Sequence, residues 1–239
     1  MFETTLLGLL TLLAAMTGTI TGFGLSTVMV PVMTLFTPLP VTLLFVGIIH
    51  LVTDIWKVLL FRSGLNWKMI LGFGIPGIFA SFLGATLALK AQEISLKPIL
   101  GGFLLIYVGF LFVKKQWTLP QTNTTAISGG LLSGLFAGFF GIGGAVRSAF
   151  LTAFNLPKEI YIFTSGMIAL CIDISRVGRY LLGGVNLERD LFFTLLICIP
   201  ISFAGAALAK RLVDRLPQQL FRQVVGVFLA LVGIFLLIK

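Results

Sequence analysis

The sequence predicts an all-α polytopic membrane protein of two inverted repeats, each with about five membrane segments, and three observations predict it. Of the 239 residues, 58% are hydrophobic and 10% are charged, against about 25% charged in a soluble domain. The apolar runs are long and unalternating, as spanning helices require, whereas barrel strands alternate over about 10 residues. The second half of the chain repeats landmark residues of the first (141 − 22 = 119 is the offset).

The first apolar run, at about 4–17, lacks the basic start of a signal peptide and is used by the repeat, so it counts as structure. It breaks at Gly18-Thr-Ile-Thr-Gly22-Phe-Gly24, and a run at about 23–36 follows. Further segments fall at about 41–61, 69–89 and 97–114. A polar linker from Lys114 to Thr125 divides the chain. The second set falls at about 125–139, 144–156, 160–181, 191–209 and 219–238, with its break at Gly141-Ile-Gly-Gly144. The whole is expected to form one transmembrane domain, 1–239, with repeat 1 at about 1–116 and repeat 2 at about 125–239. Gly22 and Gly24 match Gly141 and Gly143, and the same offset pairs Pro38 with Pro157, Gly47 with Gly166, Asp54 with Asp173 and Lys57 with Arg176. The aspartates weigh most, being the only ones well inside apolar runs.

The two members of each first pair have about 14 residues, or about 21 Å of helix, against a hydrocarbon core of about 30 Å. Each pair is therefore expected to be short or re-entrant. Five segments per half invert the second copy and gather nine Lys and Arg on one side against five on the other. Four per half would split them evenly, so the positive-inside rule favours five. That places both termini outside a multi-pass protein of the cell membrane. Short, glycine-interrupted segments at matching positions of inverted halves point to a transporter's binding site.

Helix starts at the two breaks would present free N–H groups and partial positive charge to an anion. Gly22, Gly24 and Ser26 in the first copy, and Gly141, Gly143, Gly144, Arg147 and Ser148 in the second, are the candidate substrate-binding residues. The alternative is that these glycines only let helices pack closely. Arg147 has Val28 as its counterpart, so it lies outside the shared scaffold. Its insertion costs at least about 2.5–3.5 kcal/mol, which an anion or an ion pair with Asp173 would offset. Gly47, Asp54, Lys57 and Phe61 share one helical face, and Gly166, Asp173, Arg176 and Tyr180 repeat it. Inversion is expected to carry the two faces to opposite sides, as an inner and an outer gate. His50, the single histidine, joins the first face four residues before Asp54 and suits proton coupling or a structural hydrogen bond. Snorkelling of Lys57 and Arg176 beside local carboxylate partners is the alternative to gating.

The net charge of +9 sits mostly in connections, which excludes nucleic acid as the partner it first suggests. Cys171 and Cys198 lie in apolar runs with no metal spacing or disulfide framework. No catalytic triad, nucleotide loop or cofactor motif is present, so an enzyme is not expected. Gly141-Ile-Gly143 follows an apolar helix rather than a strand, which fails the dinucleotide context.

A duplicated small membrane protein with a glycine-broken helix in each half resembles the sulfite exporter family, TauE/SafE, also called TSUP. The resemblance spans essentially the whole chain. It is carried by Gly22-Phe-Gly24 with Val30-Pro31, by Gly134 through Gly144, and by Gly84-Ala85 and Gly205-Ala206. It implies transport of sulfite, sulfoacetate or another organosulfonate, with proton coupling left open. The chain departs from the family pattern at Leu25-Ser26, Ala145, Arg147 and Phe150, where a ligand would bind. The expected partners are a small anionic substrate and the lipid bilayer, with a homo-oligomer left open. The alternatives are a permease or exporter for another organic anion or an amino acid, a membrane-embedded enzyme, and a channel or assembly partner.

Overall fold

The computed structural model describes residues 2–22, 24–61, 65–91, 93–113 and 119–212, with isolated positions from 227 to 238. Among these the chain is all-helical: α1 (Phe2–Thr21), α2 (Ser26–Met33), α3 (Leu39–Leu60), α4 (Trp67–Lys90) and α5 (Glu93–Val113). Then come α6 (Asn123–Phe140), α7 (Gly143–Leu151) with a 3-10 turn at Thr152–Phe154, α8 (Lys158–Leu182) and α9 (Arg189–Leu212). Five of them, α1, α3, α4, α8 and α9, are long and apolar enough to cross a membrane. The expected run at 219–238 lies largely outside the described residues, as does the start of the polar linker, 114–118.

The helices start and stop where local chemistry dictates. Asn66 and Thr122 cap α4 and α6 by accepting the N–H groups of Met69 and Thr125. Pro38 and Pro157 precede α3 and α8, since a proline's preset φ suits a helix entry. Gly141 ends α6 in the left-handed region at φ 75°, donating its N–H to the Ala137 carbonyl.

The first pair differs from expectation. The segments before the breaks are not short: α1 has 20 residues and α6 has 18, while α2 has 8 and α7 has 9. Helix α1 continues through Gly18 to Thr21, with the hydroxyls of Thr17 and Thr21 bonding back to the Ala14 and Thr17 carbonyls. The shortness is confined to the segment after each break.

Packing is inside-out relative to a soluble protein. On α4, Leu71, Ile75, Phe79 and Leu83 are exposed, while Gly74, Gly77, Ser81, Gly84 and Ala85 are buried. Small residues inward let helix backbones approach where lipid supplies no hydrophobic drive. A Cβ added at Gly130, Gly134 or Gly138 of α6 would meet the carbonyls of Phe73, Gly77 and Ser81 of α4 in turn, so the two helices run parallel in contact. Gly8 and Gly205 join α1 to α9 the same way, against Ile201 and Leu12. Helices α3 and α8 cross antiparallel, with Gly47 against Val177 and Gly166 against Val58. That central crossing carries the polar residues.

Candidate functional site

Both glycine breaks abut one buried charged network. Gly24, at φ 81°, sits so close to His50 that any side chain there would run into its Nε2 atom. Gly141 lies among Val30, Leu43 and Arg176, with the site of an added Cβ 3.6 Å from Arg176 Nη1. Gly22, at φ 72°, lies against the ring and hydroxyl of Tyr161. Gly143 faces back onto Ser133 and Ala137 of α6, so it can serve a ligand only through its backbone. Gly144 is buried in the first turn of α7.

The helix starts after the breaks are unusual. Leu25 and Ile142 occupy the N-cap positions of α2 and α7, both 0% exposed, and neither start has a side-chain cap. A helix leaves its first N–H groups without internal partners, and a buried uncapped start calls for an outside acceptor. Ser26, in the first turn of α2, is buried with its hydroxyl unpartnered. In α7, Arg147 is 1% exposed; its Nε donates to Ser165 at 3.0 Å, and its Nη2 has no partner. Ser148 bonds the Tyr161 hydroxyl at 2.6 Å, which ties α7 to the residue covering Gly22. The alternative pairing of Arg147 with Asp173 does not occur, because Asp173 is engaged by Arg176 and His50.

The two Asp-basic pairs are not carried to opposite sides, as expected from inversion; they meet. Lys57 Nζ lies 2.7 Å from Asp54 Oδ1, and Arg176 Nε lies 2.6 Å from Asp173 Oδ1. His50 stands between them, Nδ1 2.7 Å from Asp173 Oδ2 and Nε2 3.5 Å from Asp54 Oδ2. The reason is the antiparallel crossing: a residue near the middle of α3 meets its counterpart near the middle of α8. All five residues are at most 3% exposed. Arg176 also reaches the Ala137 carbonyl at 3.4 Å, and Tyr180 donates to the Gly138 carbonyl at 2.6 Å, so the network holds the last turn of α6.

His50, Asp54 and Asp173 bring ligand-type atoms within 4.8 Å of one another. Each carboxylate already carries a cation, leaving the cluster without the excess negative charge that a metal ion requires. A cleft of about 660 Å³ opens elsewhere, between α1, α3 and α9, lined in part by Thr4, Thr37, Asn186, Glu188 and Asp190. Its two carboxylates suit an anion poorly.

Tyr161 and Ser165 were not among the sequence candidates. Both lie on the α8 face of Asp173 and Arg176, at steps of four, eight and three residues. Extending that face two turns toward the start of α8 would have found them.

A family model described as Sulfite exporter TauE/SafE matches residues 7–236. No curated protein matches the chain.

Proposed function

We propose a sulfur-anion transport function for this chain, which belongs to the sulfite exporter TauE/SafE family. Its cargo is a small sulfur-containing anion, sulfite or an organosulfonate such as sulfoacetate, moved across the cell membrane by alternating access. One observation carries the site: two uncapped, buried helix starts, with the buried Arg147 Nη2 unpartnered on the second of them. Amide groups at Ser26 and Gly144 and one guanidinium form the donor set that a tetrahedral or pyramidal oxyanion takes. Ser26 and Ser148 add hydroxyls beside it.

Two inverted halves account for the packing. Under the offset of 119, the contact of Gly47 with Val177 becomes that of Gly166 with Val58 (47 + 119 = 166; 58 + 119 = 177). Antiparallel helices exchanging equivalent contacts are what a two-fold axis in the membrane plane produces. In this reading repeat 1 runs over about 1–116 and repeat 2 over about 125–239, and the excess of Lys and Arg on one side puts both termini outside. The two Asp-basic pairs then act as one central latch, whose ion pairs re-form as the halves rock.

The test is uptake of labelled sulfite into proteoliposomes, with sulfoacetate and a plain carboxylate as competitors. Saturable uptake inhibited by sulfoacetate supports the proposal; competition by the carboxylate alone moves the function to a general organic-anion permease. Arg147→Ala removes a charge-assisted donor of about 1.5–3 kcal/mol, so sulfite affinity falls about 10- to 100-fold by calorimetry. Unchanged affinity removes Arg147 from the site.

A further inference from the structure

We propose that His50 is a single-proton site shared between Asp54 and Asp173, and that its occupancy is coupled to the anion at the two breaks; the coupling rests on the transport function above. The buried network is short of one donor. Asp173 Oδ2 has ring Nδ1 at 2.7 Å, but on the other edge His50 Nε2 and Asp54 Oδ2, 3.5 Å apart, have no hydrogen-bond partner. A neutral imidazole carries one N–H and one bare nitrogen, so it can serve only one carboxylate. An imidazolium carries two N–H groups on opposite edges and serves both. Binding one proton breaks no bond. It changes the formal charge of His50, Asp54, Lys57, Asp173 and Arg176 together from zero to +1.

The groups around the ring are Asp54 and Lys57 from α3, and Asp173, Arg176 and Tyr180 from α8. The break before α2 faces it with the Gly24 backbone, and the one cation of α7, Arg147, is engaged by Ser165. Helix α6 brings no charged residue. Charged residues of α4, α5 and α9 lie toward helix ends, with Lys210 on the Leu60 carbonyl.

Both breaks would feel the proton. Gly24 sits directly on Nε2, two residues before α2 begins, so the new charge lies beside the first helix start. On the other edge, Nδ1 lies 2.7 Å from Asp173 Oδ2, a spacing that needs an N–H between them, so Nδ1 carries the proton of the neutral ring and the added proton goes to Nε2. Arg176, paired with Asp173, holds the Ala137 carbonyl, the acceptor of the Gly141 N–H, and so links the ring to the second break. An anion at the breaks in turn favours the charged ring.

The chain has one histidine, so isotope labelling reads this site alone. The experiment is nitrogen NMR of the untagged, histidine-labelled chain in liposomes, titrated with and without sulfite. We expect one step on titration, from one bare ring nitrogen to two N–H signals. Saturating sulfite should raise its midpoint by about one pH unit, a tenfold gain in proton affinity. Asp54→Asn should lower the midpoint by a comparable amount. A ring that keeps one protonation state throughout overturns the proposal, as does a midpoint unmoved by sulfite that calorimetry shows to bind. If sulfite does not bind, the transport function fails by itself, and the titration alone still decides the proton site. The wild-type titration also decides it should Asp54→Asn fail to fold.

Discussion

Arg147 and Arg176 are both fully buried guanidiniums in the same region, yet their surroundings differ. Arg176 has a carboxylate, a carbonyl and an imidazole; Arg147 has one serine and a free edge. Removing a partner from a buried pair leaves an uncompensated charge, which costs about 3–5 kcal/mol. Asp173→Asn should therefore lower stability by about that much in detergent denaturation, whereas Arg147→Ala should leave the melting temperature nearly unchanged. Gly24→Ala should also destabilise, because φ 81° penalises any side chain and its methyl would strike His50. A fully stable Gly24→Ala would contradict the close approach. The charged residues were legible in the sequence because ionisable groups inside apolar runs are too costly to be incidental. Their meeting through His50 was not. Helical periodicity gives the face of a residue, but not the depth at which two antiparallel helices cross.

At the scale of the element, glycine punctuation located both breaks to within a few residues. The lengths on either side differ from expectation because the glycine spacing starts the first break at Gly18, whereas α1 runs through it to Thr21. The α4–α6 contact tests the packing directly. Gly134→Val would drive a branched side chain into the backbone of Gly77, and overpacking of this kind costs about 1–3 kcal/mol or more. Folded yield should collapse. Gly178→Ala on α8 is the control: nothing lies within 4 Å of an added methyl, and exchanging glycine for alanine in a helix gains up to about 1 kcal/mol. Equal effects from the two substitutions would show that glycine loss, not helix approach, sets the cost.

At the scale of the whole molecule, the fold brings two interrupted helices to one place, beside a buried network of His50 and the two Asp-basic pairs. The all-helical membrane character and the family were legible from composition and glycine spacing, because hydrophobicity and chain breaks are local properties. Pairing of helices far apart in sequence, such as α1 with α9 and α4 with α6, depends on small-residue surfaces that the sequence displays without naming their partners. The most direct test of the central claim is an experimental structure with selenite, a heavier analogue of sulfite whose position anomalous scattering identifies. A single site is predicted within hydrogen-bond reach of the first turns of both α2 and α7 and of Arg147 Nη2. An anion held at one helix start alone, or bound away from both breaks, would contradict it.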